Sequence, residues 1–246
     1  MSNSNIEHEM PFTEHLHELR KRLFLSIVAI AIGASFSFCW SKEIFSVLSD
    51  PYFKAFPSES LVGMGPAEAF ILRLKMSALT GLIVTSPIIF SQIWLFISPG
   101  LKENEKKLAL PFVVATSSLF LIGVTFCYFV VLPFTFEFFF AQYKSIGIEP
   151  TIRISEHLSL FGKAILGFGI VFQLPILAFF LGRLGIIDHK MLINYSRHAI
   201  VVIFLVGAIL TPPDILTQVL MAGPLLLLYA LSILIVKLTA KEQDKE

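Results

Sequence analysis

Long apolar runs separated by short polar segments dominate this chain, and the polar positions cluster where the runs end. An α-helix rises about 1.5 Å per residue, so about 20 apolar residues cross a hydrocarbon core of about 30 Å. That ruler marks six candidate spans: Leu23–Trp40, Met76–Ile97, Leu108–Leu132, Leu158–Leu181, Ala199–Leu210 and Ile215–Val236. They are expected to be helices, because in lipid every backbone N–H and C=O must find its partner within the segment. The alternating polarity of barrel strands is missing. The fifth run is short and covers about 18 Å if helical. Either its helix extends back through Tyr195 or the bilayer thins around it. Ahead of the first span, Phe12, Leu16, Leu19 and Leu23 recur at i, i+4, i+7 and i+11, one face of a helix that runs straight into the membrane.

The first apolar run follows basic residues, as in a secretory signal peptide. It is longer than the usual apolar region of such a peptide, lacks an A-x-A-like site and is followed by five more runs, so it is expected to be retained. Lysine and arginine near the span ends set the orientation. Most of the 19 basic residues fall on the N-terminal side of the membrane, among them Arg20, Lys21, Arg22, Lys102, Lys106, Lys107, Arg183 and Arg197. Both termini should therefore be cytoplasmic. The expected division is a cytoplasmic amphipathic helix over 1–22, one six-helix membrane domain over 23–237 and a cytoplasmic tail over 238–246. The outer segments 41–75 and 133–157 carry turn signals, including Asp50-Pro51, Gly65-Pro66 and Glu149-Pro150. They also contain amphipathic stretches, so a structured outer cap is expected. Pro66-Ala67-Glu68 reads as a helix start.

Composition sharpens this picture. Of 246 residues, 55% are hydrophobic and 15% charged, against about 25% charged in soluble domains. An ordinary soluble enzyme, a disordered protein and a nucleic-acid binder are excluded. The net charge of +1 supplies no global steering field. Cys39 and Cys127 lie in apolar runs with no metal or disulfide spacing and are expected to be packing residues. There is no P-loop, no G-x-S-x-G and no H-E-x-x-H. His15 and His17, two apart on a helix, face different ways and do not suggest a metal site. The span cores hold no His, Asp or Glu to serve a membrane-embedded protease. No cofactor is implied.

Three polar features remain. Lys163 should lie near the outer edge, where a lysine can snorkel. Gln173 sits mid-span, two residues before Pro175. A buried amide must be paired, and Pro175 removes a backbone donor. Gln173 therefore either satisfies the kink inside its own bundle or meets a polar residue of another protein's membrane helix. The third feature is at the cytoplasmic face. Glu14, Glu18 and Arg22 follow at i, i+4 spacing, and the loop after the second span brings Glu103 and Glu105 to the same side. Glu18 and Glu105 either neutralise basic neighbours or form an acidic site suited to an arginine-bearing peptide, since a carboxylate accepts two parallel hydrogen bonds from a guanidinium.

His15-Leu16-His17-Glu18-Leu19-Arg20-Lys21-Arg22-Leu23 resembles the H-L-x-E-L-R-x-R-L signature of the TatC family, the multi-spanning receptors of twin-arginine protein translocation. Asp50-Pro51, Pro66-x-Glu68-x-Phe70, Phe96-x-x-Pro99-Gly100-Leu101-x-x-x-Glu105 and Thr211-Pro-Pro-Asp214-x-x-Thr217-Gln218 resemble further motifs in order, over about residues 11–237. The resemblance implies an all-α membrane protein with six spans in a concave, glove-like bundle, not an enzyme. It implies a cytoplasmic site for signal peptides with consecutive arginines, with Glu18 and Glu105 at the acidic positions and Arg20, Arg22, Leu19 and Phe96 around them. Pro51, Pro99, Asp214 and Gln218 match positions tied to structure or assembly. Single-span TatA and TatB partners, a homo-oligomer within a larger complex, a prokaryotic inner membrane and export of folded cargo by the proton-motive force are implied with it. The family commonly has glutamate where this chain has Gln173, which cannot exchange a proton. A small-solute transporter is the alternative, although the chain shows no convincing internal repeat.

Overall fold

A computed structural model describes residues 12–56, 61–98, 109–210 and 215–243. The described chain is helical apart from an isolated parallel bridge between Val62 and Arg153. In order, the helices are α1 (Phe12–Cys39), α2 (Ser41–Ala55), α3 (Glu68–Ile97), α4 (Ala109–Phe126), α5 (Leu132–Ser145), α6 (Ile154–Val171), α7 (Leu174–Arg183), α8 (His189–Asn194), α9 (Ser196–Leu210) and α10 (Ile215–Gln243). One π-helical turn, Cys127–Val131, joins α4 to α5. Among the described residues, five helical stretches are long and apolar enough to cross a membrane: Thr13–Cys39, Glu68–Ile97, Ala109–Ser145, Ile154–Arg183 and Met221–Thr239. The short apolar run becomes α9, which begins at Ser196 and spans 15 residues. It covers about 22 Å, still less than a full hydrocarbon core. Helix α1 crosses the 22/23 junction unbroken, and α10 crosses 237/238.

The helices run further than the apolar pattern alone implies. Asp50-Pro51, expected as a turn, lies inside α2. Much of the expected second outer loop is helical too, since α5 continues to Ser145. Both departures depend on how the backbone is satisfied. A proline within a helix strands the carbonyl four residues earlier. For Pro51 that carbonyl belongs to Val47, and the Tyr128 hydroxyl donates to it at 2.8 Å. For Pro87, inside α3, it belongs to Ile83, and the Ser86 hydroxyl donates to it at 2.7 Å. The π turn ahead of Pro133 has the Leu132 amide bonded to the Cys127 carbonyl. Such wide turns are the usual way for a helix to absorb one residue too many.

Glycines end two helices. Gly147 and Gly185 have φ of +69° and +70°, in the left-handed region that favours glycine. After α7, Ile186 N donates to Leu181 O and Gly185 N to Gly182 O; after α5, Ile148 N donates to Tyr143 O and Gly147 N to Lys144 O. Both pairs form the Schellman pattern, which satisfies otherwise orphaned carbonyls.

Two features of the packing set the architecture, the α1–α3 contact and the largest of three buried clusters among the described residues. Helices α1 and α3 lie antiparallel along most of their length. A Cβ on Gly81 would stand 2.4 Å from the Ala34 amide nitrogen, and one on Gly33 2.8 Å from Thr85 Cγ2. The two backbones therefore touch at a point only glycine permits. The larger core gathers α2, α4, α5, α6, α9 and α10 around Phe161, Phe168, Leu132 and Leu225. At its α2 end, the fully buried Tyr52 and Phe56 stack at 4.9 Å, and the buried His157 and Phe136 rings close over Tyr52. Buried Pro51 and Cys127 belong to this region, whereas Cys39 is exposed. Outward faces stay apolar: Phe24, Ile32 and Phe36 are about two-thirds exposed on α1. In water so continuous a patch would be a liability; in lipid it is the solvent-facing surface.

The Tyr128 bond yields a first prediction. Tyr128→Phe should cost about 1 kcal/mol, because it leaves one carbonyl short of a partner. For a chain of this size, that lowers Tm by about 2–4 °C. In a Pro51→Ala background, where residue 51 regains an amide for Val47, the same change should cost much less. Equal losses in both backgrounds, read from thermal unfolding in detergent, would refute the pairing.

Candidate functional site

Antiparallel α1 and α3 bring the start of one helix beside the end of the other. Arg22 occupies the centre of this junction. Its Nη2 donates to Glu18 Oε1 at 3.2 Å, one turn earlier on α1, and its Nη1 donates to Gln92 Oε1 on α3 at 3.3 Å. Glu18 and Arg22 side chains are 19% and 22% exposed. An i, i+4 pair of this kind is worth only about 0.3–0.5 kcal/mol. Its effect is geometric: the planar guanidinium holds one oxygen of Glu18 and ties it to α3, while Glu18 Oε2 makes no hydrogen bond within the described residues. One turn further out, the His15 ring stacks on Phe96 with centroids 4.4 Å apart. The half-buried Phe96 thereby clamps α1 to the end of α3.

Around this clamp the surface is mixed. Leu16, Leu19 and Leu23 are 48%, 42% and 58% exposed, and Arg20 is exposed. The apolar stripe on α1 is thus an open face beside a half-buried carboxylate. A guanidinium could take the free Glu18 oxygen while an adjoining apolar segment lies along the leucines. The Glu18–Arg22 neutralisation foreseen from spacing is present. Gln92 was not foreseen: it lies 70 residues from Arg22, and no helical spacing links them. Pro99, Glu103, Glu105 and Asp214 lie outside the described residues, so the pairing of Glu18 with Glu105 is untouched by this geometry.

Gln173 occupies the break between α6 and α7. Its Nε2 donates to the Thr116 carbonyl of α4 at 3.1 Å and, more weakly, to the Gly169 carbonyl at 3.4 Å. The backbone explains the second bond. Gln173 N turns to Ile170 O, so the side chain takes over the helical role toward residue 169. Gln173 is 8% exposed, and its Oε1 is buried without a hydrogen-bond partner among the described residues. The donor side of the amide therefore serves this bundle, and the acceptor side is spare. Gln218, the other side chain singled out near the last turn, donates through Nε2 to Phe204 O at 2.8 Å and ties α10 to α9. No group of three or more potential metal ligands occurs among the described residues.

Residues 14–224 match the family model for TatC, the Sec-independent protein translocase protein. The chain is 45% identical to the TatC protein of Helicobacter pylori over 224 residues, covering 91% of this chain and 86% of that one. It is 38% identical to the TatC protein of Aquifex aeolicus over 237 residues, covering 96% and 98%. A crystal structure of a twin-arginine translocase receptor, TatC, superposes with a TM-score of 0.84 at 37% identity, covering 92% of this chain and 99% of that chain. With the motifs, the helix order and the length all in register, the chain belongs to the TatC family of Sec-independent protein translocase proteins.

Proposed function

We propose that this chain is the receptor subunit of a twin-arginine translocase, and that the Glu18 end of α1 reads the signal peptide. The observation that carries this reading is the two-armed Arg22, which fixes Glu18 between α1 and α3 and leaves one carboxylate oxygen open. Glu105 supplies the second acid from the loop that follows α3. Two carboxylates in one pocket suit two consecutive guanidinium groups, each of which can donate two parallel hydrogen bonds. Leu19 and Phe96 flank the acids, Arg20 meets lipid phosphate, and the open leucine face takes the apolar part of the peptide. The relatives and the solved structure are all translocase proteins, which leaves the small-solute transporter without support.

On this reading α9 is the sixth crossing, with the bilayer drawn thin around it. Both termini face the cytoplasm, consistent with the basic residues crowding the Arg22 end. The bundle is concave, in the inner membrane of a prokaryote. It works without enzymatic chemistry or a cofactor. TatA- and TatB-type single-span partners and further copies of this chain complete the complex, which exports folded cargo on the proton-motive force. Pro51, Pro99, Asp214 and Gln218 support the frame. Gln173 offers its spare acceptor, buried in the isolated chain, to a donor on a partner helix once the α6–α7 break shifts to uncover it. As an amide it takes part by hydrogen bonding and not by proton exchange.

Site-specific cross-linking in native membranes tests the receptor role. Glu105→Ala and Glu18→Ala should each abolish capture of a twin-arginine peptide, while the protein still inserts. Gln92→Leu should weaken capture several-fold, because Arg22 loses the arm that fixes its geometry. Normal capture by both glutamate variants would defeat the proposal.

Gln173→Leu separates the two sides of that amide. It removes an interhelical bond worth about 0.6–2 kcal/mol but also a spare buried acceptor costing about 1–3 kcal/mol, so Tm should hardly change. Partner co-purification should fall several-fold, with peptide capture intact. Full partner recovery would leave Gln173 only its role inside the bundle.

A further inference from the structure

Lys75 and Lys163, both on membrane helices, have no anionic partner among the described residues. Lys75 is two turns into α3 and Lys163 is about two and a half turns into α6; both are exposed. No acid stands three or four residues from either. The acidic groups of their own helices are engaged elsewhere. Glu68 accepts from the Met64 and Gly65 amides, and Glu156 pairs with Arg153 at 4.0 Å. Facing α1 has no charged residue from Leu23 to Cys39. An unpaired cation at membrane depth is costly and calls for a counter-charge.

Lys75 lines a cleft, and Lys163 follows directly on Gly162 of its opposite wall. Between α1, α3 and α6 lies a cavity of about 400 Å³ whose walls include Lys75, Leu79 and Leu82 from α3 and Ser159, Gly162 and Leu166 from α6. The two helices run the same way here: Met76 packs with Leu158, and Leu79 lies beside Gly162. Lys75 and Ser159 therefore mark the mouth at the α2 end, and the walls below are apolar. Lys163 stands one turn, about 5.4 Å, deeper than Ser159 on the same stripe of α6, within reach of the mouth by snorkelling.

We infer that this cleft binds an anionic phospholipid, its phosphate held by Lys75 and Lys163 at the α2 end and one acyl chain lying between Leu79, Leu82 and Leu166. Charge decides for an anion, and shape decides for a lipid. A transmembrane helix is about 10–12 Å across, so a single turn of it would already fill the cavity. A hydrocarbon chain fits a narrow apolar slot with a polar mouth. The inference does not rest on peptide recognition at Glu18, which lies at the other end of α1.

Native mass spectrometry of the full chain in detergent, titrated with dioleoyl phosphatidylglycerol or dioleoyl phosphatidylcholine, provides the test. The phosphatidylglycerol adduct should be favoured by about thirtyfold, in line with two lysines near one headgroup. The double variant Lys75→Gln, Lys163→Gln should lose that preference. Gly162→Leu keeps both lysines but fills the slot, and a Cβ there meets only Leu79 at 3.9 Å, so the fold accommodates it. It should lose the adduct as well, while all variants keep the wild-type Tm within a few degrees and capture peptide normally. Equal adducts in the wild-type protein, or an unchanged preference in the double variant, would overturn the inference. So would displacement by inorganic phosphate alone, or cross-linking of the lysines to a carboxylate on a partner helix with lipid adducts unaffected.

Discussion

The constraint on which this molecule depends is that backbone polar groups in hydrocarbon must be paired by the protein itself. Regular helix does this without help. The informative places are where helix is interrupted, and there a side chain supplies what the backbone loses. Tyr128 reaches Val47 because Pro51 lacks an amide, Ser86 reaches Ile83 because Pro87 does, and the Gln173 amide bonds Gly169 where α6 breaks. Two of these repairs cross between elements, from Tyr128 to α2 and from Gln173 to Thr116 of α4. The irregularities therefore help fix how the helices stand against one another.

The same logic places the Arg22 end of α1. Gly33 and Gly81 let α1 and α3 meet backbone to backbone, and this contact sets the register that puts Arg22 opposite Gln92 and His15 opposite Phe96. A weak ion pair becomes useful because the frame behind it is stiff. The guanidinium recognition proposed for this end would need placement of oxygens more than binding strength, and the glycine contact provides placement.

How much of this could be read beforehand follows from the range of each interaction. Five of the six expected spans and the Glu18–Arg22 pair were legible because they depend on spacing within one helix. Gln92 was illegible because only tertiary register brings it to Arg22. Asp50-Pro51 misled because the local turn preference of that dipeptide was overridden inside α2, where the Val47 carbonyl freed by Pro51 takes the hydroxyl of Tyr128, 81 residues beyond Val47. The extent of α5 was hidden by Pro133, which suggests a boundary until a π turn accommodates it. The sequence singled out Lys163 by its spacing along one helix, but the slot lined by Lys75, Ser159 and Gly162 was illegible, since three helices build it.

The stretch from Ala109 to Ser145 runs 37 residues with only a π turn inside it. That is about 55 Å of rod, nearly twice the thickness of the hydrocarbon. Its upper part is bolted to α2 through Tyr128 and the rings of Phe136 and Tyr52. From the π turn onward the stretch is thus held to α2, so one continuous helical run ties the placement of α4 to that of α2. The two elements are therefore mechanically coupled: displacing one loads the other.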